Sequence, residues 1–268
     1  SIPRSLGSLN LLETLNVGSN HLTTGYPQEM SIISSLVNCE SLRVMILSHN
    51  PIKGILPHTI ANFSNSLEKF ITSTCELEGS IPPEIGNLSG LVELDLSSNY
   101  LTGQFPLAFE LSNLEALELQ NNRILGSLPP YLCKFRSLTL LNLSENKFSG
   151  QLPDCFGNMT SLRKLYLSSN ILNSTMPASL GNLKDLLYLD VHSNALGGYL
   201  PQEIGNLKAA ISMDMSRNKF AGNIPTTVGN LQNLIDFSLA HNELQGFIPE
   251  RVGKMVNLES LDLSQNNL

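Results

Sequence analysis

The chain has 268 residues, a formal net charge of −7, 41% hydrophobic and 6% aromatic residues, and no tryptophan. That balance excludes a nucleic-acid binder, since no basic stripe exists to neutralise phosphates. No apolar run approaches the roughly 18 residues of a membrane-spanning helix, and no secretory leader opens the chain.

Taken in order, the chain opens inside a repeated unit at Ser1-Ile2-Pro3 and then returns to one nine-residue phrase of the form LxxLxLxxN, as in Leu186 to Asn194. Eleven copies end on Asn20, Asn50, Cys75, Asn99, Asn122, Asn146, Asn170, Asn194, Asn218, Asn242 and Asn266. The intervals are 30, 25, 24 and 23 residues, then 24 six times. A fixed period of this length with this leucine pattern predicts an α/β leucine-rich-repeat solenoid. Its strands form a parallel sheet on the concave face, and short 3₁₀ or helical turns lie on the convex face. The expected organisation is one solenoid over 1–268, of about eleven repeats and truncated at both ends. The 30-residue step holds an insertion, Thr24-Gly25-Tyr26-Pro27 to Val37, whose extra length must bulge from the edge or convex side.

Within each phrase the alternation assigns directions. In Leu165-Tyr166-Leu167 the leucines point inward and Tyr166 points to the other face of a short strand. The recurring Asn closes the turn, because a side-chain amide both donates and accepts and so serves backbone groups there and on the next coil. Cys75 lacks those groups, so its rung is expected to be weaker. Gly-x-Ile/Leu-Pro follows, as in Gly79 to Pro82 and Gly246 to Pro249, where glycine permits a bend and proline ends ladder pairing. Ser174 and Thr24 replace that glycine, and their coils are expected to be the least regular. The few residues between Pro and the Gly-Asn-Leu close predict 3₁₀ turns.

The consensus LxxLxLxxNxLxGxIPxxIGNLxx resembles the plant-specific class of leucine-rich repeats. Finer likenesses sit in Ser35-Leu36-Val37-Asn38-Cys39-Glu40-Ser41-Leu42, in Gly54-Ile55-Leu56-Pro57 running on to Leu67, and in Leu77 to Leu88. In this order they resemble the ectodomains of subfamily XII leucine-rich-repeat receptor kinases of plants. The resemblance implies a sensor of peptides on the extracellular face of the plasma membrane or in the apoplast. It also implies recruitment of a shorter leucine-rich-repeat co-receptor, and a membrane span and kinase beyond this chain. The family's N-terminal and C-terminal caps are missing from it.

No catalytic constellation is present. His21, His49, His58, His192 and His241 lack metal-ligand spacing, and neither metal nor cofactor is expected. Function then rests on the strand face. Leu91 to Leu143 offer Glu93, Asp95, Glu118, Gln120 and Asn142, an acidic and polar run. The repeats from Leu162 to Leu239 offer Lys164, Tyr166, Tyr188, Asp190, His192, Asp214, Arg217, Asp236 and His241. Mixed charge with Tyr and Arg suits a binding surface for a peptide or protein; the plain alternative is that these are solvated strand positions. Val44, Ile46 and Ile71 form an apolar group, read either as a second contact or, preferably, as ground covered by the insertion.

Five sequons, at Asn62, Asn87, Asn142, Asn158 and Asn173, agree with a secreted glycoprotein. A glycan on Asn142, on the concave face, would confine binding to the region C-terminal of it. Cys39 reads as a buried small hydrophobe, and its pairing with Cys75 is geometrically unfavourable. Cys133 and Cys155 fall on neighbouring coils, two positions out of register, where a disulfide and two separate thiols are both open readings. Two rivals to the receptor reading stand. One is a soluble inhibitor of a microbial cell-wall hydrolase, resembling polygalacturonase-inhibiting proteins. The other is a structural or ice-binding array, disfavoured by the irregular face.

Overall fold

A computed structural model describes residues 2–23, 31–106 and 111–268. The chain divides into two compact units, Ser1–Leu125 and Gly126–Leu268, both built from the same coil. In the first unit the strands Thr14–Asn16, Val44–Ile46, Lys69–Ile71, Glu93–Asp95 and Ala116–Glu118 pair in parallel. In the second, Leu140–Asn142, Lys164–Tyr166, Tyr188–Asp190, Ser212–Asp214, Asp236–Ser238 and Ser260–Asp262 do the same. The central residue of almost every strand is buried and its neighbours face out, the alternation a one-sided sheet demands. Leu162, Leu165 and Leu167 are fully buried, each contributing about 2 kcal/mol by burial.

Three residues after each strand the backbone turns through the left-handed region. Ser169, Ser193, Arg217 and His241, each just before a ladder asparagine, have φ of 53°, 53°, 53° and 54°. That turn aims the asparagine inward. Asn170 Nδ2 donates to the carbonyls of Leu167 and Ser168 in its own turn and of Leu143 in the preceding coil, while its Oδ1 accepts from Phe148 N–H. The inter-coil bonds therefore reach back to the preceding coil, not forward to the next. The reason is the stagger: the amide lies beneath the preceding coil's turn, whose N–H and C=O groups open toward it. At Cys75 a single S–H faces the carbonyls of Leu47 and Ser73 at 3.3 and 3.5 Å. The rung has a second polar irregularity, since the fully buried Thr72 hydroxyl finds no partner among the described residues.

After the ladder turn a second set of strands forms. In the second unit Lys147–Gly150, Ile171–Thr175, Ala195–Tyr199, Lys219–Gly222 and Glu243–Leu244 pair in parallel. In the first, Gly54–Ile55 pairs with Leu77–Glu78. The asparagine period does not point to this sheet, although the alternation in Ala195-Leu196-Gly197-Gly198-Tyr199-Leu200 carries its signal; the strand ends two residues before Pro201. Ser174, expected to loosen its coil, takes φ 99° inside the paired strand Ile171–Thr175. Ser174 is paired with Leu196 of the next coil and holds the left-handed conformation that glycine takes elsewhere, so that coil is regular. Thr24 and the run 24–30 lie outside the described residues. The part of the insertion that is described, Ser31–Leu36, is an α-helix packed against the 3₁₀ turns Arg4–Ser8 and His58–Asn62.

Elsewhere the convex side is made of five-residue 3₁₀ turns, nine among the described residues. Their glycines owe their identity to close approach: a Cβ on Gly181 would lie 2.4 Å from Glu203 O, and one on Gly205 2.1 Å from Thr227 O. A disulfide joins Cys133 to Cys155, linking the turns Pro130–Lys134 and Asp154–Asn158. Cys39 and Cys75 are free and buried.

Candidate functional site

The outward strand positions of the second unit form two columns. One runs Lys164, Tyr188, Ser212, Asp236 and Ser260; the other runs Asn142, Tyr166, Asp190, Asp214, Ser238 and Asp262. In-register pairing brings together Lys164, Tyr166, Tyr188, Asp190, Asp214 and Asp236 from four stretches of sequence. Lys164 Nζ stands 5.8 Å from the Tyr188 ring centroid. The Tyr166 hydroxyl is pushed above its ordinary pKa, first by burial and then by the neighbouring Tyr188 and Asp190.

The carboxylates at strand ends are fixed by their own backbone. Asp190 Oδ1 accepts from His192 N–H at 3.1 Å, Asp214 Oδ1 from Ser216 N–H at 2.9 Å and Asp262 Oδ1 from Ser264 N–H at 3.0 Å. The last bond, with the Ser264 side chain, holds the exposed Asp262 carboxyl below the usual range. Carboxylates held in this way are oriented by their own chain. His192 is brought beside two of them, with Nδ1 2.7 Å from Asp190 Oδ1 and 3.8 Å from Asp214 Oδ2. No histidine spacing in the sequence signals this cluster, because Asp214 comes from the next coil. Its three ligand atoms lie within 4.8 Å of one another and would fit a small cation, but half-exposed acidic groups gather so without one.

Arg217 and His241 fall elsewhere. Both sit in the left-handed turns beyond the strand ends Asp214 and Ser238, exposed at the rim of the strand face.

In the first unit Lys69 Nζ on this face pairs with Glu93 at 2.6 Å, and one residue before the strands Arg43 pairs with Glu68 at 2.8 Å; Glu93 raises the Lys69 pKa. Gln120 donates to Glu118 at 3.3 Å. Val44, Ile46 and Ile71 are half-exposed, and the Ser31–Leu36 helix lies against 3₁₀ turns, not over them. Of the sequons, Asn62, Asn87, Asn158 and Asn173 are exposed, whereas Asn142 is half-buried and accepts from Ser144 N–H.

The repeated strand, ladder turn and 3₁₀ turn, with an outward strand face carrying variable side chains, define a leucine-rich-repeat recognition scaffold. The Leucine rich repeat family profile matches residues 112–172, 160–220 and 221–268, and a second Leucine Rich Repeat profile matches 41–63 and 90–111; the chain belongs to this family. It is 38% identical over 95 residues to the Receptor kinase-like protein Xa21 of Oryza sativa subsp. japonica, covering 35% of this chain and 9% of that protein. Among solved structures, a TDR receptor superposes with TM-score 0.92 at 31% identity, over 99% of this chain and 45% of that one. The plant peptide hormone receptor RGFR1 in complex with RGF2 gives TM-score 0.81 at 30% identity, over 99% and 46%. The chain thus spans less than half of these two receptor structures and about a tenth of the first curated relative.

Proposed function

We propose that this chain is an extracellular ligand-recognition segment of a plant receptor kinase or receptor-like protein, acting by binding and not by catalysis. Its ligand is a peptide or protein laid across the strand face of the second unit, and a co-receptor with a shorter repeat array is the expected partner of the complex. The observation carrying this reading is the contrast between the two strand faces. In the first unit Lys69 and Arg43 answer Glu93 and Glu68. In the second, Tyr166, Tyr188, Asp190 and Asp214 are half-exposed and adjacent, with His192 Nδ1 beside both carboxylates. Aromatic rings beside fixed carboxylates are the composition of an interaction hot spot. The likeness to a peptide hormone receptor seen with its ligand supports the same reading.

The test is affinity capture from apoplastic fluid by the secreted, glycosylated chain, with captured species identified by mass spectrometry and titrated back as pure compounds. A peptide or protein bound at least tenfold more weakly by Tyr166→Ala/Tyr188→Ala, with unchanged circular dichroism, supports the assignment. Unchanged affinity in that variant overturns the site. Capture of a cell-wall hydrolase with loss of its activity overturns the receptor reading in favour of an inhibitor.

A further inference from the structure

The second strand set carries its own concave feature, remote from the columns above. Tyr199 ends the strand Ala195–Tyr199 with 76% of its surface exposed, yet its ring is not loose. It lies across Gly222 of the next coil, where an added Cβ would stand 2.3 and 2.4 Å from the ring atoms Cδ1 and Cε1. Gly222 has φ +74°, so the backbone conformation and the ring together leave this position to glycine. The outcome is a tyrosine whose buried part rests on backbone and whose remaining surface is open.

Register builds a slot beside it. Tyr199 pairs with Ala221, and Ala221 with Glu243. Strands lie about 4.8 Å apart, so the ring and the carboxylate rise from backbones about 10 Å apart with only a methyl group between them. Gln245 and Asn267, bridged to each other through their backbones, continue the wall beyond Glu243. The open volume bounded by Tyr199, Ala221, Gly222, Glu243, Gln245 and Asn267 is about 620 Å³.

We propose that this slot binds a neutral pyranose oligosaccharide. The apolar C–H face of a sugar ring stacks on Tyr199, a large rigid surface that loses little entropy on contact. The ring hydroxyls donate to the Glu243 carboxylate, and they both donate to and accept from the side-chain amides of Gln245 and Asn267. Among the described residues no cationic side chain lines the slot, and Glu243 repels a carboxylate; acidic sugars such as galacturonate oligomers are therefore refused. A lysine or arginine from a protein would also suit a ring facing a carboxylate. Such a side chain has no acceptor, so it leaves the amide N–H groups of Gln245 and Asn267 unanswered. Hydroxyls answer both.

Saturation-transfer NMR and calorimetry decide the matter. The probes are cellohexaose, mannohexaose, trigalacturonate and a tetrapeptide containing arginine. N-linked glycans on the chain are first trimmed to their innermost sugar so that they cannot occupy the slot. At least one neutral hexasaccharide is expected to bind with measurable heat and with saturation transfer to its ring protons, and trigalacturonate is not. Tyr199→Ala should weaken binding tenfold or more, Tyr199→Phe should stay within about threefold because the ring remains, and Glu243→Gln should weaken it several-fold. Tyr199 is exposed, so these variants keep their fold, which circular dichroism checks. Absence of binding by both neutral sugars, equal binding by Tyr199→Ala, equal binding of trigalacturonate, or preference for the arginine peptide would each overturn the proposal.

Discussion

Asn218 Nδ2 donates at 3.0 Å to the Val191 carbonyl of the preceding coil, while its Oδ1 accepts from Leu196 N–H of that coil at 3.0 Å. One side chain thus replaces backbone pairing that two adjacent turns cannot give each other. Every intact asparagine rung from Asn99 to Asn266 whose bonds are described repeats this arrangement.

Removing that amide leaves buried carbonyls and an N–H without partners. Asn218→Leu is expected to cost about 2 to 4 kcal/mol, since each unsatisfied buried group costs about 1 to 3 kcal/mol. Urea denaturation gives the magnitude. Hydrogen exchange should place the loosening in the coils around Val191 and Leu196, because repeats contact only their neighbours; uniform exchange along the chain would contradict this.

The convex glycines are set by close approach between successive coils. Gly205→Ala drives a Cβ onto Thr227 O, which would lie 2.1 Å away. Overpacking predicts a loss of about 2 kcal/mol or more for Gly205→Ala. A thermal melt of the variant tests this, and an unchanged melting temperature would refute close approach as the reason for the repeated glycine.

Cys75 gives a pH-dependent prediction. Burial pushes its thiol up to about 11 from the ordinary 9.0. A folded-state pKa raised above the unfolded one means stability is intact below pH 9 and is lost as pH rises from about 9 through about 11. At pH 8 the thiolate fraction falls about a hundredfold, so alkylation by iodoacetamide should be slow in the native chain and fast in urea. Fast native labelling at Cys75 would show the rung to be open. Cys75→Asn, which supplies the missing amide, should raise stability by about 1 kcal/mol.

The Cys133–Cys155 bond closes a loop with a sequence separation of 22 residues. Constraint of the unfolded chain predicts that Cys133→Ser/Cys155→Ser loses about 3 kcal/mol. Chemical denaturation with and without reductant measures it. No loss on reduction would mean the bond is not formed in the secreted protein.

Much of the architecture was legible in the sequence. The 24-residue recurrence of the ladder asparagines places the strands of the second unit one above another in register, with Leu165 opposite Leu189 and Tyr166 opposite Asp190. Hence the strand-face columns of the second unit follow from counting, as do the buried leucines and the 3₁₀ turns. Counting works there because parallel pairing joins equivalent residues of successive coils.

The second sheet obeys a different offset, and that is where the tertiary structure decided. Gly197 pairs with Lys219, and Ala221 with Glu243, so partners stand two residues short of the repeat, as do Cys133 and Cys155. Column-by-column comparison matches Tyr199 with Asn223, yet its ring lies over Gly222 and its strand partner is Ala221. The same holds for His192, whose approach to Asp214 depends on how its side chain leaves the turn toward the next coil. Periodicity determines which residues share a rung. Which side chains meet is set by stagger between coils and by side-chain direction, and both arise only when the coils stack.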